Sequence, residues 1–397
     1  MTPDRTQLTW ASAEFAADPV AMAEPHRPDQ VVFDPEQEGW IVLRHDDIDT
    51  VLRSDDYRKD PRTASACPYT TKQRAMAGSS LIFMDDPDRK RLRRLITRSF
   101  AHRNIIRMRP RIQEIATQLL SRIDPSGPFD LVSAYSVPLS VRVIASLIGV
   151  ETTADQERFV AWSEDLELEY GHDLAPADLL RIRASRAELA FYFLDAIEQR
   201  RAEPRDDLIS TLVAAHDRDG ALTEEELVST LVTLLVAGNV STADLVSNAA
   251  VALLRHPEQL AMVRADPGLL PAAIEEVLRW DSPLTIVDRI TARPLTLGDV
   301  RIPAGSWIWP AIASANHDPA AHRDPGEFDI GRTGNHHLSF GAGARLCLGA
   351  ELARAEAEIA IATLFGRFPD LQLDPDIPPD RHSKPSFHGF SRISCTA

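Results

Sequence analysis

Cysteine is scarce: three residues in 397, Cys67, Cys347 and Cys395, too few and too scattered for a disulfide framework or a zinc knuckle. Positive charge is also in short supply. Forty-three Lys and Arg against 59 Asp and Glu leave a formal charge of −16, which repels polyanions at long range. A general affinity for nucleic acid or an anionic membrane is therefore excluded, and a polyanionic partner would need a local basic patch. No apolar run is long. The strongest, "LVSTLVTLLVAG" from Leu227 to Gly238, falls well short of the roughly 18 to 20 residues that cross a bilayer. The opening "MTPDRTQLTW" has no basic-then-apolar signal pattern, so a cytoplasmic location without a membrane is expected. H-E-x-x-H, G-x-S-x-G and Walker-type loops are absent. The adjacent His336 and His337 would point in different directions on most backbones, which makes them poor metal partners.

What is present reads as a globular protein, 44% apolar and 26% charged. Short strands are expected in "VVFD" and "GWIVLRH", then in "TIVDRI", "PLTL", "VRI" and "SWIWP", where β-branched and aromatic residues are bounded by turn formers. Between them the pattern is almost wholly helical, with helices expected near 88–99, 104–123, 134–149, 153–167, 176–202, 207–216, 223–255, 257–265 and 271–281. A last long helix follows Cys347. No repeat or low-complexity linker interrupts the pattern, so the expectation is a mainly α (α+β) fold, one helical domain over residues 1–397 with small peripheral β-sheets.

Two segments carry chemistry. Thr223 and Glu226 form a T-x-x-E capping box at the start of a helix that is apolar or small nearly all round, and therefore central. At its middle, Gly238 followed by Ser241 and Thr242 either loosens the helix or serves a packing contact that needs small residues. The second segment is "HHLSFGAGARLCLGAELARAE", residues 336–356. A lone cysteine is most often a buried core thiol. Here Phe340-Gly341-Ala342-Gly343 permits unusual dihedrals and close approach of a large planar group, and the helix that follows turns its amide end toward the sulfur, favouring a thiolate.

The run Phe340-Gly-x-Gly-x-Arg-x-Cys347-x-Gly349 resembles the haem-binding loop of the cytochromes P450. It breaks the dinucleotide G-x-G-x-x-G with Leu346. A second signature stands upstream in "AAIEEVLRW", where Glu276 and Arg279 give E-x-x-R; Arg332 is the candidate third arm, since Glu327 holds the slot before Phe328. The resemblance covers nearly the whole chain. It implies haem b with the Cys347 thiolate as axial ligand to iron, and propionate partners at Arg89 (in a slot usually held by histidine), Arg93, Arg289 and Arg345, with Phe340 and Gly341 against the ring. On the helix "DRKRLRRLITRSF", Arg89 and Arg93 share a side with Leu92 and Ile96, whereas Lys90, Arg91, Arg94 and Arg98 face the other way. That outward face is the expected dock for a ferredoxin-type donor, because the chain has no flavin or iron–sulfur motif of its own.

The resemblance implies a monooxygenase using O2 and external electrons on a small apolar to amphipathic substrate, a secondary metabolite, with a substrate pocket at Thr71, Ser80, Leu81, Ile82, Leu235, Ala237, Val240, Thr285, Ile286, Val287, Phe387 and His388. The catalytic stretch is Gly238, Asn239, Ser241 and Thr242. It departs from the family's A-G-x-[Asp/Glu]-Thr-Thr, because Val240 occupies the acid slot and cannot relay a proton. Three explanations stay open: Asp244 one turn on feeds protons through water, a substrate hydroxyl or amine completes the relay, or the enzyme cyclises, couples or desaturates without inserting oxygen. A peroxygenase is not expected, since no arginine lies between Thr223 and Leu254. A non-catalytic haem sensor would not need the basic face.

Overall fold

The computed structural model describes residues 7–65, 80–150, 153–168, 175–219, 221–384 and 386–397; Cys67 and Thr71 lie outside them. The chain divides into two compact units, one of Met1–Gly78, Asn248–Cys347 and Arg381–Phe390, the other of Ser79–Ser247, Leu348–Asp380 and Ser391–Ala397.

The first unit is built on a five-stranded mixed sheet. Val31–Asp34 pairs antiparallel with Gly39–Val42, which runs parallel to Trp307–Pro310; Arg289–Thr291 and Tyr57–Arg58 follow. Alternate residues feed opposite faces. Ile41, Ile290, Trp307 and Trp309 enter one apolar cluster, and Val31, Val42 and Ile308 enter another. Both faces are thus covered, which is why "SWIWP" reads as an unbroken apolar run. Trp307 and Trp309 stack at 5.1 Å, and a Cβ on Gly39 would lie 2.8 Å from the Trp307 Cβ, so only glycine fits beneath them. The helix His45–Arg53, which the sequence pass did not assign, buries Ile48, Val51 and Leu52 in the second cluster.

The second unit is helical. Ala350–Arg367 packs on His102–Ser121, which packs on Val137–Ile148; Thr153–Glu167, Pro176–Ala202 and Leu208–Asp219 continue the series. A small sheet of Phe129–Asp130, Ser394–Thr396 and Gln372–Leu373 closes it. In its interior the Tyr135 hydroxyl donates to the Ala360 carbonyl at 2.8 Å, and the Ser140 hydroxyl donates to Glu356 at 2.6 Å.

Burial pushes the Glu356 carboxyl from 4.5 up to about 8, against the lowering effect of Ser140. The folded state therefore keeps a proton that the unfolded chain releases, and its stability falls as pH rises from 4.5 to about 8. Glu356→Gln is expected to match the parent Tm in acid and exceed it above pH 8, in melts followed by circular dichroism. A Tm difference that does not vary with pH would contradict a neutral Glu356.

The long helix, Glu224–Arg255, starts at the expected box: the Thr223 amide donates to Glu226 Oε2 at 2.8 Å and the Glu226 amide to Thr223 Oγ1 at 3.1 Å. Two features of this helix bear on the sequence reading. By length and composition this helix could cross a membrane, which the short contiguous run did not suggest; half of its apolar window is buried inside the protein. It also runs unbroken through Gly238. A Cβ there would lie 3.0 Å from Ile144 Cγ1, so the glycine serves close packing against Val137–Ile148 rather than loosening the helix.

Candidate active site

Cys347 is exposed and outside any disulfide. Its loop is set by two glycines with left-handed backbones, Gly341 at φ 68° and Gly343 at φ 67°. A Cβ on Gly343 would lie 2.8 Å from Arg53 Cα and 2.9 Å from the Leu52 carbonyl, which seats the loop on the helix His45–Arg53. A Cβ on Gly341 would meet nothing within 4 Å. The turn closes where the Cys347 amide donates to the Phe340 carbonyl at 2.9 Å. By contrast, Cys395 is buried in a paired strand, and desolvation pushes its thiol up to about 12.

Arg289 is buried, and its Nη1 donates to the Asp288 carbonyl at 2.7 Å. Beside it Lys59, which no sequence motif marks, forms an ion pair with Asp288. Burial pushes the Lys59 ammonium down, Asp288 pulls it back up, and the charges of Arg289 and Arg345 lower it further.

The C-terminal turn docks on this unit through the Thr285 amide, which donates to the Ser386 carbonyl at 3.0 Å, and through the Leu284–Phe387 bridge. Three of the residues expected in the pocket make defined contacts here. Ile286 belongs to the tryptophan cluster of the core, whereas Val287 packs against the other cluster. His388 has both ring nitrogens engaged, Nδ1 at 3.2 Å from the Ala16 carbonyl and Nε2 at 3.4 Å from Asp281, contacts that brace the turn. Desolvation by burial lowers its pKa.

The E-x-x-R pair is buried. Arg279 donates through Nε and Nη2 to Glu276 at 2.9 and 2.7 Å and reaches the carbonyls of Asn316, Pro325 and Glu327. Arg332 Nε stands 3.1 Å from Glu276 Oε1, and Asn335 donates to Glu276 Oε2 at 3.2 Å. His337 Nε2 meets Glu275 at 3.1 Å, and the backbone carbonyl of His336 takes His45.

In the second unit the basic helix is Asp88–Thr97. Arg89 is buried with Leu92 and Ile96 and pairs with Asp86 at 2.8 Å, and Arg93 is half-buried. Lys90, Arg94 and Arg98 are exposed, with Lys90 3.0 Å from Asp86. Arg91 departs from its expected place in that row: it is half-buried and bound to Glu226 at 2.6 Å and to Asp88 at 3.2 Å. On the long helix, Thr233, Ala237 and Ser241 follow at four-residue spacing; Ala237 is exposed and the other two half-buried, although Leu235, Asn239, Val240, Thr242 and Asp244 are buried. An exposed alanine midway along a core helix marks open space on that face. The Thr233 hydroxyl meets Ser80 at 3.1 Å; Leu81 is half-buried and Ile82 exposed.

Residues 178–393 match the family model "Cytochrome P450". The chain belongs to the cytochrome P450 family. Among curated relatives, nocardicin C N-oxygenase of Nocardia uniformis is 40% identical over 87% of this chain and 85% of that one; the P450 monooxygenase PikC of Streptomyces venezuelae is 37% identical over 94% and 89%. Among solved structures, CxnD, titled as the P450 enzyme for C–S bond formation in chuangxinmycin biosynthesis, aligns with a TM-score of 0.85 at 33% identity, over 96% of this chain and 94% of that one.

As a P450 the chain is an oxidoreductase carrying haem b, with iron held by a cysteine thiolate. Its residues fit that group. An exposed thiol stands on a loop whose Gly341 leaves room for a flat ring, and Arg289 and Arg345 add positive charge suited to propionates.

Proposed function

We propose that this P450 is a cytoplasmic monooxygenase that inserts oxygen from O2 into a medium-sized, apolar to amphipathic secondary metabolite. Haem supplies reductive activation of dioxygen when bound. Cys347 provides the thiolate, and Arg289 and Arg345 bind carboxylates of the cofactor. The carrying observation is the exposed Cys347 set against Cys395, whose burial keeps its thiol protonated.

Ser241 and Thr242 orient water and hand protons along the long helix, without the carboxylate that Val240 replaces. Thr233 and Ala237 border substrate on the same face, with Leu81 and Ile82 as apolar lining. Electrons come from an acidic ferredoxin with its reductase, drawn by Lys90, Arg94 and Arg98. Turnover should fall with rising salt because those charges are exposed.

A second reading is a coupling, cyclising or desaturating oxidase. Val240, buried and apolar in the acid slot, favours it, as does the likeness to CxnD. Turnover under isotopically labelled dioxygen separates the two. Label in the product supports the monooxygenase, and an oxidised product without label supports the second reading. Compounds that shift the iron to high spin in a library of medium-sized, apolar to amphipathic natural products supply the substrate for that assay.

A further inference from the structure

Lys59 sits just past the edge strand Tyr57–Arg58, which pairs with Arg289–Thr291, and its side chain is buried in an ion pair with Asp288. Removing an ammonium from water costs free energy, and Arg289 and Arg345 add repulsion to that cost. Asp288 repays part of it and leaves its Oδ2 buried without a hydrogen-bond partner among the described residues. That oxygen can take another cation. Arg289 is the next residue in the chain and already donates to the Asp288 carbonyl.

We infer that the Lys59–Asp288 pair is a positioning element for the cofactor's carboxylates: Lys59 holds one oxygen of Asp288, competes with the neighbouring Arg289 for that carboxylate, and adds its own positive charge beside Arg289. The inference rests on the proposal that Arg289 and Arg345 hold the haem propionates. A pair that merely clipped Tyr57–Arg58 to the sheet would affect folding stability alone. A pair that shapes the field at the cofactor also affects how tightly haem is held and at what potential it is reduced.

The sign follows from charge. Removing a cation favours the more positive ferric form, so Lys59→Met lowers the reduction potential; Asp288→Asn removes an anion and raises it. Freed from Lys59, Asp288 competes with the cofactor for Arg289. Haem transfer from Lys59→Met holoprotein to excess apomyoglobin is therefore expected to quicken on the order of tenfold, the equivalent of one charge-assisted hydrogen bond. The double variant Lys59→Met/Asp288→Asn should recover most of both shifts.

The experiment measures spectroelectrochemical potential, haem transfer and Tm on the holoproteins. Opposite potential shifts in the two single variants, recovered in the double, support the inference. A changed Tm with potential and haem transfer both unmoved would overturn it and leave a structural clip. Asp288→Asn, nearly isosteric, carries the same test if Lys59→Met does not fold. The underlying cofactor proposal fails separately, if the unmodified protein shows no thiolate-type carbon monoxide spectrum.

Discussion

Arg279→Ala is expected to leave almost no folded haem protein. Arg279 and Glu276 are 0% and 1% exposed at their side chains, and the guanidinium satisfies that carboxylate together with three backbone carbonyls. Removing it takes away the anion's two-pronged partner and leaves three carbonyls without their donor, and loss of one member of a buried pair typically costs about 3–5 kcal/mol. Total stabilities run near 5–15 kcal/mol, so the loss takes a large share of the fold. Arg332 and Asn335 still reach Glu276, but neither supplies the paired donors of Arg279. Arg279→Lys should recover little, because an ammonium cannot make the two-pronged contact and the carbonyl bonds together. Urea unfolding and the haem-to-protein ratio measure the effect. An Arg279→Ala protein within about 1 kcal/mol of the parent would contradict the assignment of this pair as a buried strut.

The second large effect is chemical. Cys347→Ala should fold, since the thiol is exposed and the turn is closed by the backbone amide of residue 347 to Phe340, which alanine retains. Stability of the polypeptide should change by no more than about 0.5 kcal/mol, as for other exposed positions. Turnover should fall on the order of a thousandfold or more, at least ~4 kcal/mol of barrier, because Cys347 would hold the iron and its thiolate would supply the electron donation that the haem's chemistry needs. Cys395→Ala is the matching control. It removes a buried thiol from a paired strand, so it should cost stability and leave the haem spectrum unchanged.

Much of this architecture is legible in the chain because helical periodicity and capping are local. The Thr223–Glu226 box spans one turn and needs no distant partner. The helices of the second unit follow from their apolar stripes in the same way. Short elements such as Ala13–Ala17, Pro19–Ala23 and Ile312–Asn316 offer too few turns to show a period.

The residues that escaped, or behaved differently, depend on contacts far along the chain. Arg91 lies on the outward face by angle alone, yet Glu226, 135 residues on, draws it in. Lys59 finds Asp288 at a separation of 229 residues, and nothing in "DYRKDPR" marks it. His388 becomes a brace through Ala16, 372 residues before it. Gly238 shows the converse: the sequence left a loosened helix and a packing contact both open, and the close approach of Ile144 decides for packing.

The central claim is that the Cys347 thiolate holds the haem iron, and the ferrous carbon monoxide spectrum tests it most directly. Purified protein reduced under carbon monoxide should give the strongly red-shifted Soret band of a thiolate-ligated haem, and Cys347→His should move that band to the imidazole-ligated position. A protein that takes up no haem, or a Cys347→His variant that keeps the red-shifted band, would contradict the account.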